Sequence, residues 1–335
     1  MGGMSNVETA PDEMVCNGRP APGQAAVVEI LTPREVPLGG PRAMTVRRTL
    51  PQRRRSLIGA WCFLDHYGPD DVAATGGMDV PPHPHTGLAT VSWLFTGEVE
   101  HRDSHGVHAI VRPGELNLMI GGHGVCHSEV STPGTTMLHG AQLWLALPDA
   151  HRDTPRAFAH HAPEPVDLDG GVARVFLGTL AGSTSPVPTF SPLLGAEIVL
   201  EPHASVTLDV DPAFEHGVLV DIGGARVGGE GMTPADVAAA ELAYVAPGPA
   251  RLDLTNDADV PTRVLLLGGI PFGEQIVMWW NFVGRSHDEI VGFRAVWEDD
   301  PESRYGHVTG YVGRDGGVAR LHAPALPNAR IRPRG

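Results

Sequence analysis

A chain of 335 residues is long enough to bury two cores of ordinary size, and 42 glycines and 31 prolines against 6% aromatic residues predict short strands joined by tight turns, an all-β architecture. The formal net charge of -15 opposes a phosphate backbone, so direct nucleic-acid binding is not expected. No apolar run reaches the ~18 residues of a membrane span; Cys16, Cys62 and Cys126 form no CxxC pair, and the N-terminus shows no signal-type segment, which together predict a reducing cytoplasm.

Residues 1–26 mix Gly, Pro, Asn and acidic residues without apolar periodicity and are expected to form a flexible tail. From 27 to 148 short apolar segments alternate with turn signals, which reads as one β-rich domain. Arg47, Arg48, Arg53, Arg54 and Arg55 crowd its early part and read as a solvated hairpin or loop face. In "GGMDVPPHPHTGLATVSWLFTG", His83 and His85 stand two apart, just before a strand in which Val91, Trp93 and Phe95 share one parity. Residues i and i+2 of a strand point to the same side, so both imidazoles can converge on one ion inside a barrel.

The following "EHRDSHGVHAI", with His101, Asp103, His105 and His108, reads as a hairpin tip made by turn-forming residues rather than as a second metal site. Further on, "GHGVCHSE" places His127 and Glu129 two apart, while alternation turns Cys126 to the opposite face as a small buried hydrophobe. His123 is a candidate for the pocket rim. Gln142, in "GAQLWLALP", is a candidate for orienting a ligand.

Three neutral imidazoles and a carboxylate form a donor set that leaves positions open on a six-coordinate ion, and an open position distinguishes catalytic from structural sites. Iron, manganese, nickel, copper and zinc are all compatible with it. No nucleophile, base and orienting acid can be assembled from recognisable motifs, so the chemistry is expected at the ion.

A linker at 149–170 precedes a second β domain at 171–272, where Val206, Leu208 and Val210 alternate with Ser205, Thr207 and Asp209. Its histidines, His203 and His216, lack paired spacing, so this half is expected to be metal-free and to support the first. In residues 273–335, Trp279, Trp280 and Phe282 read as interdomain core. Ser286 and Glu289 form a capping box ahead of Ile290, Phe293 and Trp297, which predicts one amphipathic helix of about three to four turns. Beyond 300, Gly, Pro and Arg suggest an extended tail, lying over a barrel or mobile.

The first histidine segment, with Gly77 ahead of His83 and Gly97 closing it, and "RPGELNLMIGGHGVCHSE" resemble the two motifs of cupins. Within cupins, "HPHTGLATVSWLFTGEVEHRDS", "PGELNLMIGGHGVCHSE" and "GAQLWLALP" resemble the pirin family, and "EQIVMWWNFVGRSHDEI" a C-terminal segment of its bacterial branch; the likeness covers most of residues 27 to 300. It implies a bicupin of two jelly-roll barrels with a C-terminal helix, the first barrel holding one divalent metal, Fe(II) foremost, through His83, His85, His127 and Glu129. Ala89 and Thr90 stand where many cupins carry a glutamate ligand, which leaves the carboxylate to Glu129.

The resemblance further implies quercetin 2,3-dioxygenase-type activity: opening of a flavonol ring by dioxygen with release of carbon monoxide, Glu129 being the candidate catalytic base. The implied partners are a flavonol-like aromatic molecule and dioxygen, on a protein expected to be monomeric. The family also contains transcription co-regulators and partners of metabolic enzymes. A non-enzymatic redox sensor with a protein partner is therefore the alternative class, and a metal enzyme acting on a different small substrate is a third.

Overall fold

The computed structural model describes residues 26–38, 44–74, 76–313 and 318–335. The tail expected at 1–26 lies outside the described residues, apart from Ala26, and so does Cys16. Strands dominate, and one α-helix occurs among the described residues.

Each half pairs a seven-stranded sheet with a four-stranded one, which gives the two expected jelly-roll barrels. In the first, the order of the large sheet is Ala157–His161, Leu116–Ile120, Leu88–Thr96, Met137–Ala146, Trp61–Asp71, Met44–Leu50, Arg34–Leu38. Its small sheet runs Asp79–His85, Val125–Ser131, Val99–Asp103, His108–Val111. In the second barrel the alternation read from sequence is seen directly, since Val206 and Leu208 are buried while Ser205, Thr207 and Asp209 are exposed.

The first described strands lie on the second barrel. Glu29–Leu31 pairs antiparallel with Leu242–Val245, because Val28 and Ile30 find apolar partners in the second core rather than in the first. The segment read as a linker is also built into the sheets: Ala157–His161 edges the first barrel, and Val166–Leu168 edges the second.

The two large sheets pack face to face. Their common core holds Trp61, Val91, Trp93 and Leu143 from one barrel and Phe176, Leu219, Leu265 and Leu267 from the other. Burying each of these side chains contributes roughly 1.5–3 kcal/mol. The indole nitrogens keep partners across the seam: Trp93 donates to Glu197 at 2.7 Å, and Trp61 to the carbonyls of Leu194 and Gly268 at 3.2 Å.

Trp279, Trp280 and Phe282 do not form this seam. They pack with Cys126, Ile290, Trp297 and Tyr305 in a separate cluster, because the hairpin carrying them bridges to Thr86 beside the small sheet of the first barrel. The helix His287–Asp299 closes that cluster, capped by the Ser286 hydroxyl accepting from the Glu289 N–H. Glu289 reaches back to the N–H of Arg285 at 2.6 Å. Ile290 and Trp297 are buried on its inner face. The tail lies over the first barrel, with Leu321 N–H donating to Pro82 and the Tyr311 hydroxyl to Asp79.

The arginine run is a solvated face only at Arg53 and Arg54. Alternation along Met44–Leu50 turns Arg48 inward, where it is 3% exposed and grips Asp65 with two bonds of 2.7 Å. Arg55 binds Glu29 at 3.0 Å and covers the Tyr244 ring. Arg53 and Arg54 are exposed.

Candidate metal centre

Strand register brings the paired histidines together. His83 lies opposite His127, His85 opposite Val125, and Glu129 opposite His101, with a bulge between His127 and Glu129. The side chains of His83, His85 and His127 converge so that one nitrogen of each lies within 4.8 Å of the others. The Nε2 atoms of His85 and His127 are 3.0 Å apart.

Electrostatics favour the ligand form of these rings. Each is 1% exposed, and burial pushes His83 down to about 4 and the other two well below the ordinary histidine range. Neutral imidazole is the form that coordinates a cation. His83 Nδ1 lies 2.9 Å from the Pro81 carbonyl, which is an acceptor, so the ring proton sits there and the Nε2 lone pair is free.

Glu129 falls with His101 and His127 in a second group of the same tightness. It is 4% exposed; burial raises its carboxyl, opposed by His101 and by the Ser92 hydroxyl at 3.4 Å. A buried carboxylate next to the uncharged His127 ring lacks a full counter-charge, and a divalent ion would supply one. The donor set and its electrostatics fit such an ion.

Opposite the histidines runs a polar row on the large sheet. Arg48, Asp65, Gln142, Ser92 and Asn117 occupy directly paired positions on five successive strands. The Ser92 hydroxyl has two acceptors for its one proton, Gln142 Oε1 at 3.0 Å and Glu129 Oε1 at 3.4 Å.

The histidine cluster at 101–108 splits. His101 and Asp103 are 3% and 2% exposed, whereas His105 and His108 are exposed. The turn begins only after Asp103, so His101 belongs to the strand Val99–Asp103 and not to a hairpin tip. Its inward parity with Val99 and Asp103 was the signal in the sequence. His123 sits apart, half-buried under the C-terminal segment, with its carbonyl accepting from Arg304 at 2.6 Å. Cys126 faces away from the histidines, and burial pushes its thiol up.

Behind His85 stands the Trp279–Phe282 turn, which sequence reasoning did not connect to the site. Val283 N–H donates to the Thr86 carbonyl at 3.0 Å, and Gly87, at φ +67°, would put a Cβ 2.2 Å from the Val283 carbonyl oxygen.

A third group, His66, His139 and Asp221, lies in the seam between the barrels. Both rings place Nε2 2.6 Å from one oxygen of Asp221, and Arg263 holds the other at 2.6 Å. Arg47 Nε donates to His66 Nδ1, so the proton of that ring faces Asp221. Two guanidiniums and an occupied nitrogen oppose a cation here, and the group is an ion-paired node.

Comparison with known proteins places these elements among relatives. The pirin family model matches residues 43–145, and that of the pirin C-terminal cupin domain matches residues 195–300. The chain is 43% identical over 326 residues, 97% of its length, to a Pseudomonas aeruginosa protein provisionally named quercetin 2,3-dioxygenase, 98% of which is covered. A pirin-like protein of Caulobacter vibrioides is 36% identical over 76% of this chain and 88% of its own. The solved structure of quercetin 2,3-dioxygenase from Acinetobacter baumannii superposes with a TM-score of 0.83 at 36% identity, covering 91% of this chain and 97% of that one.

Proposed function

The chain belongs to the pirin family, and from that premise we propose that it is a metal-dependent dioxygenase that opens the ring of a flavonol such as quercetin with dioxygen and releases carbon monoxide. The observation that carries the proposal is the convergence of three buried, neutral imidazoles, His83, His85 and His127, the last of which also groups with the buried Glu129 carboxylate. His83, His85, His127 and Glu129 would hold one divalent ion, iron foremost. When bound, such an ion supplies Lewis acidity that lowers the pKa of a hydroxyl placed on it.

The remaining work falls to side chains. Glu129, its carboxyl raised by burial, is the acceptor for the flavonol hydroxyl proton, since a base with an elevated pKa holds a proton better near neutrality. The Ser92 hydroxyl is placed to donate to that carboxylate. The polar row opposite the histidines offers hydrogen-bonding groups suited to an oxygenated aromatic ring.

The test is to load purified protein anaerobically with Fe(II), quantify bound metal, and follow quercetin absorbance on admitting air, with His127→Ala as control. Turnover by the loaded wild type alone is expected. Equal turnover by the control, or none by the iron-loaded wild type, contradicts the dioxygenase proposal. A change in partner binding between ferrous and ferric protein without turnover would favour the sensor class.

A further inference from the structure

We propose that His101 and Asp103 are positioning residues for His127, forming a hydrogen-bonded chain that fixes the tautomer and orientation of that ring; the inference rests on the metal-site proposal above. The His127 Nε2 edge faces His85 at 3.0 Å, so its Nδ1 points to the other side, where His101 Nδ1 stands 3.4 Å away. A ring that offers its Nε2 lone pair to a cation carries its proton on Nδ1 and must donate it. His101 Nδ1 can accept only if its own proton lies on Nε2, and that atom is 3.1 Å from Asp103 Oδ2, a pure acceptor.

All the donors therefore run in one direction, from His127 through His101 to Asp103. The far end is anchored: the second oxygen of Asp103 accepts from the N–H groups of His105 at 2.8 Å and Val107 at 3.0 Å. The Phe158 ring, 5.0 Å from His101, covers the chain. His101 also groups with His127 and Glu129 closely enough to be considered a ligand itself. Both of its nitrogens are already engaged, one by His127 and one by Asp103, which favours the positioning role.

The experiment measures affinity for nickel(II) by competition with a colorimetric chelator, in wild type, His101→Asn, His101→Leu, Asp103→Asn and His83→Ala, with circular dichroism confirming folding. Nickel needs no substrate and no turnover. His101→Leu and Asp103→Asn are expected to bind about 10–100-fold more weakly than wild type. His101→Asn should fall between wild type and His101→Leu, because its amide oxygen still accepts from His127. His83→Ala should lose binding. Spin-echo spectroscopy of the Cu(II)-loaded protein should count the same imidazoles in His101→Leu as in wild type.

Unchanged nickel affinity in both His101→Leu and Asp103→Asn overturns the inference, as does loss of one imidazole from the count in His101→Leu. A wild type that binds no metal overturns the metal-site proposal itself. If Asp103→Asn fails to fold, the two His101 variants decide.

Discussion

His85 and His127 present their Nε2 atoms to one another at 3.0 Å inside a barrel that keeps both rings uncharged. His83 has its proton directed outward to Pro81, so a lone pair joins the same space. Three inward nitrogens without charge form a cage for a cation and a poor arrangement without one.

His85→Ala should therefore abolish the stabilisation that metal gives. A ligand present at about a hundred times its dissociation constant adds about 2.7 kcal/mol to folding stability. Differential scanning calorimetry with and without Fe(II) should show a rise in midpoint for wild type and none for His85→Ala. An equal rise in both would remove His85 from the ligand set.

Ser92→Ala tests the support of Glu129. The hydroxyl stands between Gln142 and Glu129, and losing it removes a hydrogen bond worth about 1 kcal/mol. The expected outcome is unchanged metal content with kcat on quercetin about 5–10-fold lower, following the transition-state relation between energy and rate. Steady-state kinetics with metal analysis of the same samples decides it; loss of metal would instead make Ser92 part of the ligand cage.

How much of this could be read from sequence depends on whether the signal was local. The convergence of His83, His85 and His127 and the inward side of Glu129 are legible because strand parity is a two-residue property, and Cys126 falls on the opposite face for the same reason. His101 obeyed the same parity but sat beside Asp, Ser and Gly, whose turn chemistry pulled the whole cluster toward a hairpin tip. Arg48 was misread because a run of like charges suggests solvent, whereas its partner Asp65 comes from a neighbouring strand that sequence proximity does not reveal. The first strand's place on the second barrel and the node around Asp221 depend on contacts between residues far apart in the chain. No local pattern encodes these.

Asp221→Asn probes that node. Burial alone would raise this carboxyl, but hydrogen bonds from His139 and His66 more than reverse it and hold it well below the usual carboxylate range. A depressed folded pKa means stability that is present above the unfolded value near 4 and is lost as pH falls through the folded one. Removing the charge leaves Arg263 without its partner, and breaking one side of a buried pair costs about 3–5 kcal/mol. Denaturant unfolding at pH 7 should show a loss of that order; a change under 1 kcal/mol would mean that the node does not secure the seam.

His216→Leu is expected to stabilise. The ring is fully buried in the second barrel, and neither nitrogen has a hydrogen-bond partner among the described residues. Burial pushes its pKa down to about 4, so between the unfolded value near 6.5 and about 4 the unfolded state binds the extra proton and stability falls with pH. Integrated to pH 5, this removes about 2 kcal/mol from wild type. Urea titrations at pH 7 and pH 5 should show the leucine variant ahead at both, with a gap wider by about that amount at pH 5. Equal pH slopes in the two proteins would contradict the buried, neutral assignment.

The central claim is most directly tested by measuring oxygen consumption and carbon monoxide release together while iron-loaded protein turns over quercetin. One dioxygen consumed and one carbon monoxide released per flavonol opened, both absent in His83→Ala, is the expected result. Quercetin loss without carbon monoxide, or the same gas balance from protein stripped of metal, would contradict it.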